Sequence, residues 1–255
     1  MKEKAPPHLS RTRFGDIVCE YLLSSRKSRK VLILATGMPG YPGRSGKAVY
    51  ALAERGYSVF VPRYRGSWES GGKFLARSPH EDILEVVSGI QKGFTDAWTG
   101  EKVRIAKPEF YVIGGSFGGP AAILASQDKR VKKAVALAPV VDWRAQEGTT
   151  EPVEKLARFL KAGFGEAYRG DANVWKKLVS GKFYNASREK KRIDGKKLLV
   201  IHAKDDDVVP FAPAKAFAHD VGARFEGLSR GGHFGVSSAL KPHLWRRIEP
   251  FLKSR

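Results

Sequence analysis

Cysteine is nearly missing from this sequence: Cys19 stands alone in 255 residues, so no disulfide framework can staple the chain internally. That scarcity is compatible with a reducing compartment. Cys19 itself falls in a β-like run, where a buried, inert thiol is the natural reading. Long apolar runs are missing too. No stretch approaches the length that crosses a bilayer, and the opening Met1-Lys2-Glu3-Lys4-Ala5-Pro6-Pro7 lacks the apolar core of a signal peptide. A cytoplasmic location with no membrane association is expected. Internal repeats and low-complexity tracts are absent. Acidic residues are few, 26 Asp and Glu against 46 Lys and Arg, which leaves a formal charge of +20. Such an excess admits polyanion binding. The cations are dispersed, however, and the short clusters Arg26-Lys27-Ser28-Arg29-Lys30 and Arg188-Glu189-Lys190-Lys191-Arg192 carry neither interleaved aromatics nor a nucleic-acid motif. We read a solvated basic surface and expect no nucleic-acid partner.

Two chemical motifs also fall short. Gly43-Arg44-Ser45-Gly46-Lys47-Ala48 hints at a phosphate loop, but Tyr41 stands where the first glycine belongs and Ala48 replaces the hydroxyl residue. No His, Cys or Asp cluster has zinc-ligand spacing, and Asp205-Asp206-Asp207 does not make a calcium loop. No metal and no cofactor are expected.

What is present is the composition of a globular protein, 42% hydrophobic and 28% charged, on a chain long enough to bury one α/β core. Residues 1–13 read as a polar lead-in and Phe14 to Leu23 as one or two short antiparallel strands. Val31 to Ala35 is a continuous apolar run, hence a buried strand, and Thr36 to Gly43 is a glycine- and proline-rich loop. A helix over Lys47 to Arg55 and a strand over Tyr57 to Val61 follow. Ser78-Pro79-His80-Glu81 is a helix start, with an N-cap serine, proline at the first position and acids in the first turn. That helix runs to about Lys92. Strands are expected again at Phe110 to Ile113, Val131 to Ala138, Lys197 to Ile201 and Ala223 to Leu228, with helices at Ala212 to Val221 and Leu240 to Leu252. Between them, residues 140–194 read as an inserted helical cap. Strands alternating with helices imply a mostly parallel sheet covered on both faces, in a single domain over 1–255.

The chemistry centres on Gly114-Gly115-Ser116-Phe117-Gly118-Gly119-Pro120. A buried strand leads into it and a helix leaves it, so Ser116 occupies a sharp strand-to-helix turn, with neighbours that lack Cβ atoms to relieve the crowding. Such a turn exposes the hydroxyl and aims a helix N-terminus at whatever the serine attacks. A serine needs a base, and the base needs an orienting carboxylate. Of six histidines, His80, His202, His219 and His243 read as helix- or strand-borne with exposed or packing roles, and His8 falls in the lead-in. His233, in Arg230-Gly231-Gly232-His233-Phe234-Gly235 between the last strand and last helix, is the candidate base. The carboxylate belongs after the strand that follows the cap, at Asp205, Asp206 or Asp207. The Phe117 backbone N–H is one donor for a developing oxyanion, and the Met38 N–H, in the loop after the Val31 to Ala35 strand, is the second.

These segments together resemble the catalytic domain of the prolyl oligopeptidase family, within the α/β-hydrolase superfamily. Gly114 to Gly119 is similar to its nucleophile motif, Arg55 to Ser67 to the strand and loop before it, and Ala138-Pro139-Val140-Val141-Asp142-Trp143-Arg144 to the opening of its helical insertion. His202-x-x-x-Asp206-x-x-Val209-Pro210 resembles its acid motif, and Gly232-His233-Phe234 its histidine motif. The likeness covers roughly residues 30–253. It implies an α/β-hydrolase fold and a triad of Ser116, Asp206 and His233, with Asp207 the fallback acid. Two departures stand out. Thr36-Gly37-Met38-Pro39 replaces the family's His-Gly-Gly-Pro oxyanion loop, and 255 residues leave no room for the β-propeller of the family's peptidases. The expected activity is carboxylic ester hydrolysis through an acyl-enzyme. The alternatives are a serine peptidase of aminopeptidase or acylaminoacyl-peptidase type, and a catalytically silent basic binding protein. Trp143, Phe159, Phe164 and Trp175 are the candidate cap residues lining the substrate pocket. A small ester or short peptide is the expected partner; the sequence says nothing of oligomeric state.

Overall fold

The computed structural model describes residues 9–171 and 173–254. The described chain opens with β1 (Ser10–Phe14) and β2 (Ile17–Leu22), followed by β3 (Lys30–Ala35), α1 (Gly46–Glu54), β4 (Ser58–Pro62) and α2 (Pro79–Lys92). A two-residue hairpin, β5 (Phe94–Thr95) and β6 (Lys102–Val103), precedes β7 (Glu109–Gly115), α3 (Gly118–Ala125) and β8 (Val131–Leu137). Next come α4 (Val153–Phe164) and α5 (Asn173–Val179), interspersed with short 3₁₀ turns. The chain closes with β9 (Leu198–Ala203), α6 (Phe211–Asp220), β10 (Arg224–Leu228) and α7 (Pro242–Lys253).

Eight strands form one sheet in the order β1-β2-β4-β3-β7-β8-β9-β10. β1 and β2 pair antiparallel and β2 pairs antiparallel with β4; every other neighbouring pair is parallel. Side chains alternate across a strand, and here that alternation divides the core in two. Val31, Ile33 and Ala35 of β3 join the cluster that also buries Ile83, Val86, Val87 and Ile90 of α2 and the apolar residues of α3. Leu32 and Leu34 join the opposite cluster, with Val49 and Leu52 of α1 and Leu244, Ile248 and Phe251 of α7. The sheet is therefore covered on both faces, as its continuous apolar strands demand.

The α2 start follows its sequence signals: Pro79 is the first helical residue, the Ser78 N–H donates to the Glu81 carboxylate at 3.3 Å, and Glu81 and Asp82 occupy the first turn. Two expectations need correction. Residues 10–13 are not lead-in but most of β1, a polar edge strand whose partner is set by register with β2. Leu240 closes a 3₁₀ turn over Val236–Leu240, and the last helix begins at Pro242, whose fixed φ suits a first helical position. His8 lies outside the described residues. Among the described residues, no helix is long and apolar enough to cross a membrane.

Candidate active site

The loops that follow β3, β7, β9 and β10 all leave the same edge of the sheet, because these strands run parallel. In parallel sheets this carboxyl edge is where ligands bind. Ser116 stands directly after β7 with φ of 54°, a left-handed conformation that a residue with a Cβ adopts only under strain. The turn is fixed at both ends. The Ser116 N–H donates to the Leu137 carbonyl at 2.9 Å, and its own carbonyl accepts from the Gly119 N–H at 2.9 Å. The flanking glycines are needed for close approach. A Cβ on Gly118 would run into the Ala35 carbonyl at the end of β3, and one on Gly115 would come within 2.7 Å of Val236 N in the histidine loop. Both neighbouring loops thus pack directly against the serine turn.

His233 extends from the loop after β10, and its Nδ1 lies 2.9 Å from Oδ2 and 3.1 Å from Oδ1 of Asp206. The three adjacent aspartates separate cleanly. Asp205 accepts the Gly231 and Gly232 N–H groups at 3.1 and 2.9 Å, which ties the histidine loop to the turn after β9. Asp207 is exposed and, among the described residues, offers only its backbone carbonyl, to Thr150. Asp206 alone of the three reaches the imidazole. Its Oδ1 also accepts the N–H groups of Val208 and Val209 at 3.0 and 2.9 Å. Burial pushes the Asp206 carboxyl up, but hydrogen bonds from His202, His233 and the Val209 N–H outweigh it and hold the group below the usual carboxylate range. The aspartate is a charged acceptor beside His233.

His202 is the site residue that its sequence reading missed. It was expected to pack at a strand end; instead its Nε2 lies 3.0 Å from Asp206 Oδ2. The available signal was the four-residue spacing between a histidine at the end of a strand and an acid in the turn beyond it.

Ser116 and His233 line one cavity of about 310 Å³, shared with Met38, Glu20, Arg44 and Arg63. Among the described residues no hydrogen bond joins the serine hydroxyl to the imidazole; such bonds often tighten only in the substrate complex. The Arg63 guanidinium is neutralised by Glu20 at 2.6 Å, whereas Arg44 donates to the Pro39 carbonyl at 3.1 Å and stacks over Tyr41. A second, much smaller cavity of about 20 Å³ lies beside Ser116, lined by Met38, Phe117, Trp143, Leu156, Val209 and other mostly apolar side chains. Met38 and Phe117, the two expected oxyanion donors, therefore sit at the serine together.

The aromatics expected to line the substrate pocket divide. Trp143 lines the small cavity and donates its indole N–H to the Tyr184 carbonyl at 2.6 Å, while the Tyr184 hydroxyl donates to the Phe117 carbonyl. This chain of bonds fastens the segment between β8 and β9 to the serine turn. Phe159, Phe164 and Trp175 line neither cavity. Phe164 packs on Phe159, Trp68 and Tyr168, and Trp175 packs on Phe74. They hold the helices between β8 and β9 to the loop after β4.

The prolyl oligopeptidase family matches the chain over residues 44–254. Among solved structures, an esterase from Pyrococcus furiosus superposes with a TM-score of 0.67 at 18% identity, covering 96% of this chain and 89% of its own. An acylaminoacyl peptidase from Pyrococcus horikoshii gives 0.62 at 17% identity, covering 97% of this chain and 40% of its own. No curated protein matches the sequence. At such identities these likenesses establish a shared fold. The family match, spanning most of the chain, places this protein in the prolyl oligopeptidase family, as a serine hydrolase of the α/β-hydrolase fold.

Proposed function

We propose that the protein hydrolyses carboxylic esters with short acyl groups through an acyl-enzyme on Ser116. His233 removes the hydroxyl proton as Ser116 attacks the ester carbonyl, then gives it to the departing alkoxide. Asp206 holds the imidazole with its hydrogen on Nδ1 and stabilises the imidazolium that forms. The backbone N–H groups of Met38 and Phe117 receive the oxyanion, an interaction typically worth about 3–4 kcal/mol per donor. A water molecule, deprotonated by the same imidazole, then attacks the acyl carbon and releases the acid and the serine.

The observation that carries this reading is the pairing of His233 with a buried, charged Asp206 at 2.9 Å, in a cavity whose wall includes the strained Ser116. The preference for esters with short acyl groups rests on the unequal cavities. The apolar one, about 20 Å³, is only slightly more than the roughly 10–15 Å³ that a single water requires, and suits a methyl or ethyl group. The one of about 310 Å³ suits a larger leaving group. Nitrophenyl acetate, butyrate and octanoate, beside acylaminoacyl and aminoacyl nitroanilides, test the proposal. Acetate is expected to give the highest kcat/KM. Faster cleavage of the anilides would support the peptidase reading instead.

A further inference from the structure

β9 is apolar along its length except at one residue. Leu198, Leu199, Val200, Ile201 and Ala203 are buried, and among them His202 is buried just as completely, with 0% exposure. Packing alone would favour another aliphatic side chain there, since a buried polar ring must find partners. The partners are specific. His202 Nε2 lies 3.0 Å from Asp206 Oδ2 and 3.0 Å from the Val209 carbonyl oxygen. Both are acceptors, so Nε2 carries the hydrogen and shares it between them. Nδ1 is buried with no hydrogen-bond partner among the described residues. The ring accepts this loss and is braced edge-on by Phe211, centroids 5.7 Å apart. One nitrogen is used, and it points at the carboxylate.

Asp206 is thereby held from two sides. The Val208 and Val209 amides fix Oδ1, and among the described residues His202 is the only donor to Oδ2 apart from His233 itself. With both oxygens anchored, the carboxylate cannot swing about its Cβ–Cγ bond, and it meets His233 Nδ1 with 2.9 and 3.1 Å contacts. The same hydrogen also bonds the Val209 carbonyl, so His202 closes the Asp206–Val209 turn against β9. We propose that His202 is a positioning residue of the hydrolase: it locks the Asp206 carboxylate in the orientation that aligns His233. The proposal rests on the triad reading above.

Two substitutions and one spectrum test it. His202→Gln keeps an N–H donor near the Nε2 position, whereas His202→Leu keeps apolar bulk without a donor. With nitrophenyl acetate, His202→Leu is expected to lower kcat on the order of 10- to 100-fold while KM moves less than about twofold, and His202→Gln to recover most of the loss. Thermal unfolding checks that both variants are folded. In the wild-type protein, nitrogen-15 histidine spectra should show His202 as the Nε2–H tautomer. Wild-type kcat in a folded His202→Leu, equal losses in two folded variants, or the hydrogen on Nδ1 would overturn the proposal; the spectrum decides if neither variant folds. A wild-type protein that a fluorophosphonate fails to label would refute the triad reading instead, so the two failures are distinguishable.

Discussion

Replacing Asp206 by Asn keeps size and shape and removes one charge, so its effect can be worked out from the hydrogen bonds around it. The amide oxygen takes the Oδ1 place, because only an acceptor suits the Val208 and Val209 N–H groups. The amide nitrogen must then occupy the Oδ2 place, where the wild-type carboxylate accepts from His233 Nδ1 and His202 Nε2. A donor now faces His233 at its shorter contact, and only the longer one, to Oδ1, keeps an acceptor, which favours an unprotonated Nδ1 with the hydrogen moved to Nε2. That tautomer cannot take the serine proton. We expect kcat to fall on the order of 10³- to 10⁴-fold, about 4–5.5 kcal/mol of lost transition-state stabilisation, with KM little changed. Asp207→Asn, at an exposed position whose side chain does not reach His233, should retain nearly full activity. Stopped-flow release of nitrophenol from the acetate ester reads both variants, and a folded Asp206→Asn within about tenfold of wild type would refute the assignment.

Other consequences follow from the same geometry. The folded-state pKa of Asp206 lies below the ordinary carboxylate value, so its stabilisation is complete above about pH 4 and is lost as pH falls toward the folded value. Urea midpoints of wild type and Asp206→Asn should therefore converge as pH falls below about 4; parallel curves would contradict the linkage. Leu156 is a buried wall residue of the small cavity, and on the proposed reading it would limit acyl length. Leu156→Ala should shift kcat/KM from acetate toward butyrate by roughly tenfold, the usual scale for a methylene or two in an apolar pocket. Burial pushes the Cys19 thiol well above its ordinary pKa, so a disulfide reagent at pH 8 should leave it intact in the native protein and modify it in urea.

The serine turn was legible because its constraint is local: glycines are required wherever β3 and the histidine loop press on the backbone, and they appear in the sequence at those positions. The element order was legible for a similar reason, since buried parallel strands read as unbroken apolar runs. Choice among Asp205, Asp206 and Asp207 was not, because three adjacent carboxylates differ only in which way the turn points them. The family resemblance favoured Asp206, and only the fold explains why: Asp205 is occupied by Gly231 and Gly232, and Asp207 is exposed. His202 was legible as part of the motif that ends in Asp206, but the spacing alone does not say that its ring nitrogen meets the carboxylate. The aromatics between β8 and β9 show the same limit. Trp143 and Trp175 look alike in an irregular helical stretch, yet one lines the cavity beside Ser116 and the other packs on Phe74. β1 was hidden by its composition, since an edge strand with Arg11 and Arg13 reads as a polar leader until its pairing with β2 is known.

Covalent capture of the nucleophile tests the central claim most directly. A fluorophosphonate should add a single phosphonyl group to the wild-type protein, with the mass shift on the peptide containing Ser116, and Ser116→Ala should take none. Folded wild-type protein that stays unmodified, or a label on any residue other than Ser116, would contradict the account.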